Sequence, residues 1–295
     1  MRNFSVDRFK SWVNGALVFY SAHLPYHRGK WRIVEKVVRL SGLESYYLGK
    51  SFVVHRQGIW WRLYPECIVQ RSVYLYGDWE SSDTCQVLKL LKPDWVIFDI
   101  GSYFGYYALL ACRHSGPRGK VFAFEPFSQN YNFLCENKRL NAFNNLTTIN
   151  LAVTDRKGVQ TFRVPPTFNQ GSGGLAGTEH GALYVQTTTL DDFVHNNHLT
   201  RLDFIKMDVE GSEVLALAGG KETIQRFQPI LMIELDPGKL NKLNQTPQGL
   251  IRAISDLGYK IYRVTEFGLE RFQKADGVND FINLFCFPDT YSRAI

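Results

Sequence analysis

The stretch WVIFDIGSYFGYYALLACRHSGPRGKVFAFEP, Trp95 to Pro126, constrains the fold more than any other part of the chain. The apolar run WVIFDI reads as a strand buried on both faces. Gly101 and Gly105 turn the chain into a helix over Gly105–His114. Gly116-Pro117 stops that helix, and KVFAFE reads as a second strand ending on Glu125. Strand, glycine turn, helix and strand in this order require a crossover, and so a parallel sheet covered by helices.

The alternation continues downstream. Ser128 is placed to cap a helix through Leu140. LTTINLAV reads as a third strand, LDFIKMD as a fourth and PILMIEL as a fifth. Two short helices broken at Gly219-Gly220 lie between the fourth and fifth strands. Thr246 (N-cap), Pro247 and Gly258 frame a further helix. KIYRV and FINLFCF close the chain as an antiparallel hairpin. The expected fold is α/β, a seven-stranded, mostly parallel sheet of the Rossmann-like type with helices on both faces. Residues 1–80 differ in texture and read as an N-terminal α+β extension: helices near Trp12–Tyr20 and Trp31–Leu40, a hairpin turning at Gln57-Gly58, and a β-like CIVQRSVYLYG. Residues 81–295 form the main domain. Pro165–Gly181, rich in Gly and Ser, reads as a mobile loop.

On such a sheet a ligand sits at the carboxyl ends of the strands. Dinucleotide sites use G-x-G-x-x-G, whose second glycine admits the pyrophosphate. Here Tyr103 takes that place, which speaks against a nicotinamide-type oxidoreductase. A nucleoside bearing an amino-acid tail fits better. Asp99 and the Gly101 carbonyl suit an ammonium, and Glu125 at the second strand end suits both hydroxyls of a ribose. These features describe an S-adenosylmethionine site. Ser102, Gly105, Pro126, Asn130 and the Ala152 backbone complete the expected cofactor-binding set, with Phe127 near the ribose end.

Taken together, VIFDIGSYFGYYALLA, GKVFAFEPFSQNYNFLCEN, INLAVTDRKG, TTTLDDF, DFIKMDVEGSEVLALAGG and PILMIEL resemble the FkbM family of S-adenosylmethionine-dependent methyltransferases. The resemblance spans about residues 75–287. It implies a class I methyltransferase fold and O-methylation of a sugar, glycolipid or polyketide-type hydroxyl, and it leaves the acceptor open.

Methyl transfer needs an aligned acceptor and a place for its proton. KMDVEG, ending the fourth strand, offers Asp208 and Glu210, with Lys206 on the same strand face to lower the Asp208 pKa. His180 in the Gly-rich loop is a third catalytic candidate. Glu234 and Asp236 bring further carboxylates, so a divalent metal such as Mg²⁺ or Mn²⁺ is an open possibility. Glu213 is read as favouring the start of its helix. His195 and His198 read as solvent-facing.

The chain has 295 residues and a formal charge of +6 without a basic run. DVEG stands where N-methylating nucleic-acid enzymes carry Pro-Pro-Tyr or Pro-Pro-Phe, so a small-molecule or glycan acceptor is expected rather than nucleic acid. A cofactor-binding regulator is the non-enzymatic alternative. Five widely spaced cysteines without CxxC fit a reducing, cytoplasmic setting. WVNGALVFY is too short to span a bilayer, leaving at most peripheral membrane contact. Nothing in the sequence sets the oligomeric state.

Overall fold

A computed structural model describes residues 2–23, 29–175, 183–275 and 277–291. The chain divides into two compact units, Met1–Ser81 with Pro166–Gln170, and Ser82–Pro165 with Gly171–Ile295.

The first unit holds helices α1 (Arg2–His23), α2 (Lys30–Leu40) and α3 (Leu43–Tyr47), strands β1 (Phe52–Arg56) and β2 (Ile59–Leu63), and helix α4 (Ile68–Tyr76). The β1–β2 hairpin turns at Gln57 (φ 51°) and Gly58 (φ 74°). Two successive positive φ values match the twist of the strands. The β-like reading of CIVQRSVYLYG is wrong: Ile68–Tyr76 is a helix, closed by left-handed Gly77, whose N–H donates to Val73 O. Its buried stripe includes Gln70 and Arg71. Polar residues on the inner face hid the 3.6-residue period behind an apparent alternation.

The second unit begins with α5 (Ser81–Leu90), β3 (Val96–Ile100), α6 (Tyr106–Ser115), β4 (Lys120–Phe124), α7 (Ser128–Asn141) and β5 (Leu146–Ile149). Next come β6 (Ala152–Val153), β7 (Gly158–Arg163), β8 (Gly174–Leu175), β9 (Leu183–Thr188) and α8 (Leu190–Asn196). The chain then runs through β10 (Phe204–Met207), α9 (Glu213–Ala218), α10 (Lys221–Phe227), β11 (Ile230–Leu235) and α11 (Pro237–Lys242). It ends with α12 (Pro247–Asp256), β12 (Tyr259–Thr265), β13 (Gly268–Arg271) and β14 (Ile282–Pro288).

The main sheet has the order β13-β12-β14-β11-β10-β3-β4-β5. β5, β4, β3, β10 and β11 run parallel, and β14 is antiparallel to both β11 and β12. This is the class I methyltransferase arrangement expected from the sequence, with three corrections. An eighth strand, β13, is added at the edge. β12 and β14 pair but are not a simple hairpin, because β13 intervenes in sequence and β14 inserts beside β11. LTTINLAV is two strands in different sheets. Asn150 donates its side-chain amide to the carbonyls of Glu125 and Pro126. That peels the chain away, so β6 joins a four-stranded sheet with β9, β7 and β8. Part of the segment read as a mobile loop, Gly174–Leu175, is thus a strand; residues 176–182 lie outside the described ones.

Strand alternation sorts the two faces of the sheet. Phe98, Ile100, Ile205, Met207, Leu231 and Ile233 pack with residues of α8, α9, α10 and α12. The opposite face, carrying Asp99 and Lys206, meets α6. Helix α7 starts after Phe127 at the N-cap rather than Ser128, without a side-chain cap. No helix among the described residues is long and apolar enough to cross a membrane.

Candidate active site

The turn after β3 is shaped by backbone sterics. Gly101 (φ 82°), Tyr103 (φ 50°) and Gly105 (φ 94°) all take left-handed conformations. A Cβ on Gly101 would collide with the Asp208 carbonyl oxygen, and one on Gly105 with Leu109 and Leu134. Glycine is therefore required at both positions by space as well as by φ. The amides of Gly101 and Ser102 both donate to Phe124 O, at 3.0 and 2.9 Å, and Ser102 Oγ donates to Asp99 O at 2.7 Å.

Glu125, buried at the end of β4, holds this turn. Its Oε2 accepts from Tyr103 N and its Oε1 from Phe127 N, both at 2.9 Å. Burial nevertheless raises its pKa to about 7, against the lowering effect of those bonds and of Asn130. With the two amides and Asn130 bound, the carboxylate keeps one acceptor position. Pro126 is half-buried beside it. Asp99 is 2% exposed, and neither carboxylate oxygen has a hydrogen-bond partner among the described residues. Burial raises its pKa, and the nearby Lys206 ammonium opposes the rise. A buried acceptor without a donor is costly, and an incoming ammonium would satisfy it. Ala152 and Phe127 belong to a separate small apolar cluster with Phe162, Leu175 and Val185, in which the Phe127 and Phe162 rings stack. Of the residues expected to hold S-adenosylmethionine, Asp99, Gly101, Ser102, Glu125 and Asn130 thus lie around one turn, and Ala152 and Phe127 stand in the separate apolar cluster.

Two strands along, the chain end of β10 gathers charge. Asp208, Glu210 and Glu234 each bring an oxygen within 4.8 Å of the others'. Lys206 Nζ lies 3.1 Å from Asp208 Oδ2 and 5.3 Å from the Tyr107 ring centroid. Burial alone would raise the Asp208 pKa, yet the Lys206 and Lys239 ammoniums outweigh it and hold the carboxyl below its ordinary value. Glu210 is raised to about 8, by burial and by the Asp208 charge, against Lys239. Glu234 is also raised, by burial first and by Asp208 second. Glu210 itself sits at φ 57°, a strained conformation for a non-glycine residue. Glu213 accepts from Val209 N and Gly211 N and so locks the turn.

Sequence reasoning missed Lys239. Its Nζ lies 3.0 Å from Glu210 Oε1 and 2.8 Å from Glu234 Oε2. Asp236 is the N-cap of α11 and accepts from Lys239 N, which turns the lysine back over the strand end. The signal was Asp-Pro-Gly-Lys after a strand ending in Glu234-Leu235: a capped helix start with a lysine in its first turn. The donor set for a divalent ion is bridged by this ammonium, and Asp236 is spent as a cap. With the ammonium in this place the arrangement does not fit a metal. His180 lies outside the described residues; His195 and His198 are exposed.

Beside this cluster, Asn283 pairs across the strands with Glu234 and donates to Asp83 Oδ2 at 3.3 Å. A cleft of about 320 Å³ opens there, lined by Asp83, Arg263, Thr265, Phe281 and Asn283 among others.

The FkbM methyltransferase domain model matches residues 99–261, which run from Asp99 through both clusters. The chain belongs to the FkbM methyltransferase family. It is accordingly an S-adenosylmethionine-dependent methyltransferase. It is similar to the 2-O-methyltransferase NoeI of Sinorhizobium fredii, 30% identical over 203 residues, which cover 62% of this chain and 79% of that protein. It is also similar to the hexuronic acid methyltransferase AglP of Haloferax volcanii, 26% identical over 160 residues, 53% of this chain and 64% of the relative. Among solved structures, an FkbM methyltransferase from Methylobacillus flagellatus shares 17% identity and a TM-score of 0.42, covering 94% of this chain and 59% of that one.

Proposed function

We propose that this FkbM methyltransferase transfers a methyl group to a hydroxyl of a sugar or sugar-bearing acceptor, with Asp208 as the acceptor-side base. The observation that carries this reading is that Asp208 Oδ2 accepts from Lys206 Nζ at 3.1 Å, the lysine that stands opposite Asp99 in the β10–β3 pairing. The Asp208 carboxylate is thereby close enough to act electrostatically on Asp99, beside the turn expected to hold the cofactor's amino-acid tail. The two named relatives, a 2-O-methyltransferase and a hexuronic acid methyltransferase, support a sugar acceptor.

S-adenosylmethionine supplies a methyl group already activated on a sulfonium. The chain has to align the acceptor oxygen and receive its proton. Asp208, ionised by Lys206, would accept the hydrogen bond of the attacking hydroxyl and take its proton while the methyl carbon exchanges its bond to sulfur for one to oxygen, the sulfur leaving as a neutral thioether. A carboxylate with a depressed pKa is a weak base toward a free alcohol. It suffices here because the oxygen becomes strongly acidic once alkylation is under way. Glu210 and Glu234 hold Lys239 and act on Asp208 through its charge. Asp99 accepts from the ammonium of the amino-acid tail, and Glu125 from the ribose. In the adjacent cleft, the Asp83–Asn283 pair suits neighbouring hydroxyls and the exposed edge of Phe281 suits a sugar face.

Calorimetry with S-adenosylhomocysteine, paired with radiolabelled methyl transfer to a glycan extract and to RNA, tests the reading. Tight binding with label in the glycan fraction supports it. Label in RNA, or tight binding without transfer to any acceptor fraction, overturns it.

A further inference from the structure

Residues 1–50 hold nine Lys and Arg against three Asp and Glu, so the chain's entire formal excess of +6 lies there and the remainder balances. The basic residues are spaced singly along the sequence, and the helices gather them.

Helix α1 is seated by one face. Asn14 Nδ2 donates to the Tyr74 hydroxyl at 2.7 Å, the Tyr47 hydroxyl donates to Asn14 Oδ1 at 2.8 Å, and Leu17 and Ser21 are buried beside it. At about 100° per residue, Phe9, Trp12, Ala16 and Phe19 fall on the opposite side. Phe9 is 57% exposed, Trp12 71% and Phe19 61%. Helix α1 is thus seated largely through polar residues, while large apolar side chains stand on its outer face. Helix α2 is tied to α1 by Lys30 Nζ, which donates to Ser21 O at 2.9 Å. It buries Val34 and Val38. The same geometry puts Arg32, Lys36 and Arg39 on its outer face, flanked by exposed Trp31, Ile33 and Leu40.

An exposed aromatic row on α1 and a row of cations on the helix tied to it match a negatively charged lipid surface. A second copy of this face would set cation row against cation row, which disfavours self-pairing. We propose that α1 and α2 form an in-plane docking surface for an anionic bilayer. Phe9 and Trp12 enter the headgroup layer, and Arg32, Lys36 and Arg39 lie over lipid phosphates. The surface is independent of the sugar-methylation reading and brings the enzyme to a lipid-borne acceptor or simply to the membrane.

The test is co-flotation of the full chain with phosphatidylcholine vesicles, with and without phosphatidylglycerol. Binding to the anionic vesicles should be strong, and should fall as salt shortens the Debye length. Arg32→Gln/Lys36→Gln/Arg39→Gln should weaken it on the order of a hundredfold, and Phe9→Ala/Trp12→Ala by roughly tenfold. Both variants should keep the wild-type affinity for S-adenosylhomocysteine, which certifies the fold. Three results overturn the proposal: no flotation, equal binding to neutral and anionic vesicles, or folded variants that bind as wild type. A dimer in solution that Phe9→Ala/Trp12→Ala dissociates would instead assign the face to self-association.

Discussion

The two halves of the carboxyl edge are built by different physics. Above β3 and β4 the chain makes its site from backbone: left-handed residues, glycines required by close approach, and a buried glutamate that accepts two main-chain amides. Above β10 and β11 it makes the site from side-chain charge: three carboxylates within 4.8 Å of one another, an ammonium bridging Glu210 and Glu234, and a second lysine on Asp208. A backbone cradle binds a fixed shape, and the titrating group that holds it is Glu125. A charge cluster sets a protonation state and stays tunable. A methyltransferase needs both, since the donor arrives activated and the acceptor does not.

If this division holds, the largest effect comes from Asp208→Asn. It removes the proton acceptor and leaves the glycine turn intact. Turnover should fall by about 10²–10⁴, while calorimetry returns an S-adenosylhomocysteine affinity near wild type. Wild-type turnover in the variant would remove Asp208 from the chemistry and leave the acceptor half without an assigned base.

Gly101→Ala strikes the seam between the halves. The new Cβ meets the Asp208 carbonyl, and alanine must also adopt φ 82°. Strain of about 1–3 kcal/mol should lower the denaturant midpoint and impair cofactor binding and turnover together. Loss of turnover with unchanged affinity would show that the turn tolerates a side chain and that the cradle is not set by sterics.

Glu125→Ala should weaken S-adenosylhomocysteine by about 1.5–3 kcal/mol, the range for a hydrogen bond to a charged group. The pH dependence sharpens this. A ribose hydroxyl needs the ionised carboxylate, so affinity should rise as pH climbs through about 7. The stability of the ligand-free fold runs the other way. The folded pKa lies above the ordinary glutamate value of 4.5, so this group's stabilisation is full below that value and is lost as pH rises through about 7. Glu213 is raised to about 7 as well, so Glu125→Gln must flatten the affinity profile. A profile that keeps its slope in that variant assigns the titration to another group.

The same contrast explains what could be read from sequence. The parallel core and the glycine turn were legible because local chemistry forces them: a β-branched run, two glycines and an acid at a strand end. Helix α4 was not, because Gln70 and Arg71 occupy its inner stripe. The break in LTTINLAV was not, because it depends on Asn150 reaching carbonyls about 25 residues away in sequence. Asp208 and Glu210 stood out as acids after a strand, but the ammonium between Glu210 and Glu234 comes from another element. No spacing rule joins Lys239 to Glu210 across 29 residues; only the Asp236 cap, by turning α11 over β11, puts them together.

Lys239 gives the smallest of these effects and the finest test. Lys239→Met keeps the length of the stem and removes the charge. With the ammonium gone, Glu210 and Glu234 lose the cation opposing the rise in their pKa values. Both should be protonated more fully near neutral pH and spare the fold an unpaired buried charge. Asp208 keeps Lys206 and stays ionised, so turnover should drop modestly, by about tenfold, one pKa unit's worth of interaction. The alkaline part of the pH–rate profile should shift as well, because Glu210, raised to about 8 in the wild type, would titrate higher. Lys239→Arg, which restores the charge, should recover most of the rate. Chelator treatment of the wild type should leave turnover unchanged if the ammonium fills the cation's place. In Lys239→Met that place is vacant, and stimulation by Mn²⁺ there but not in the wild type would tie the lysine directly to the position a metal would otherwise take.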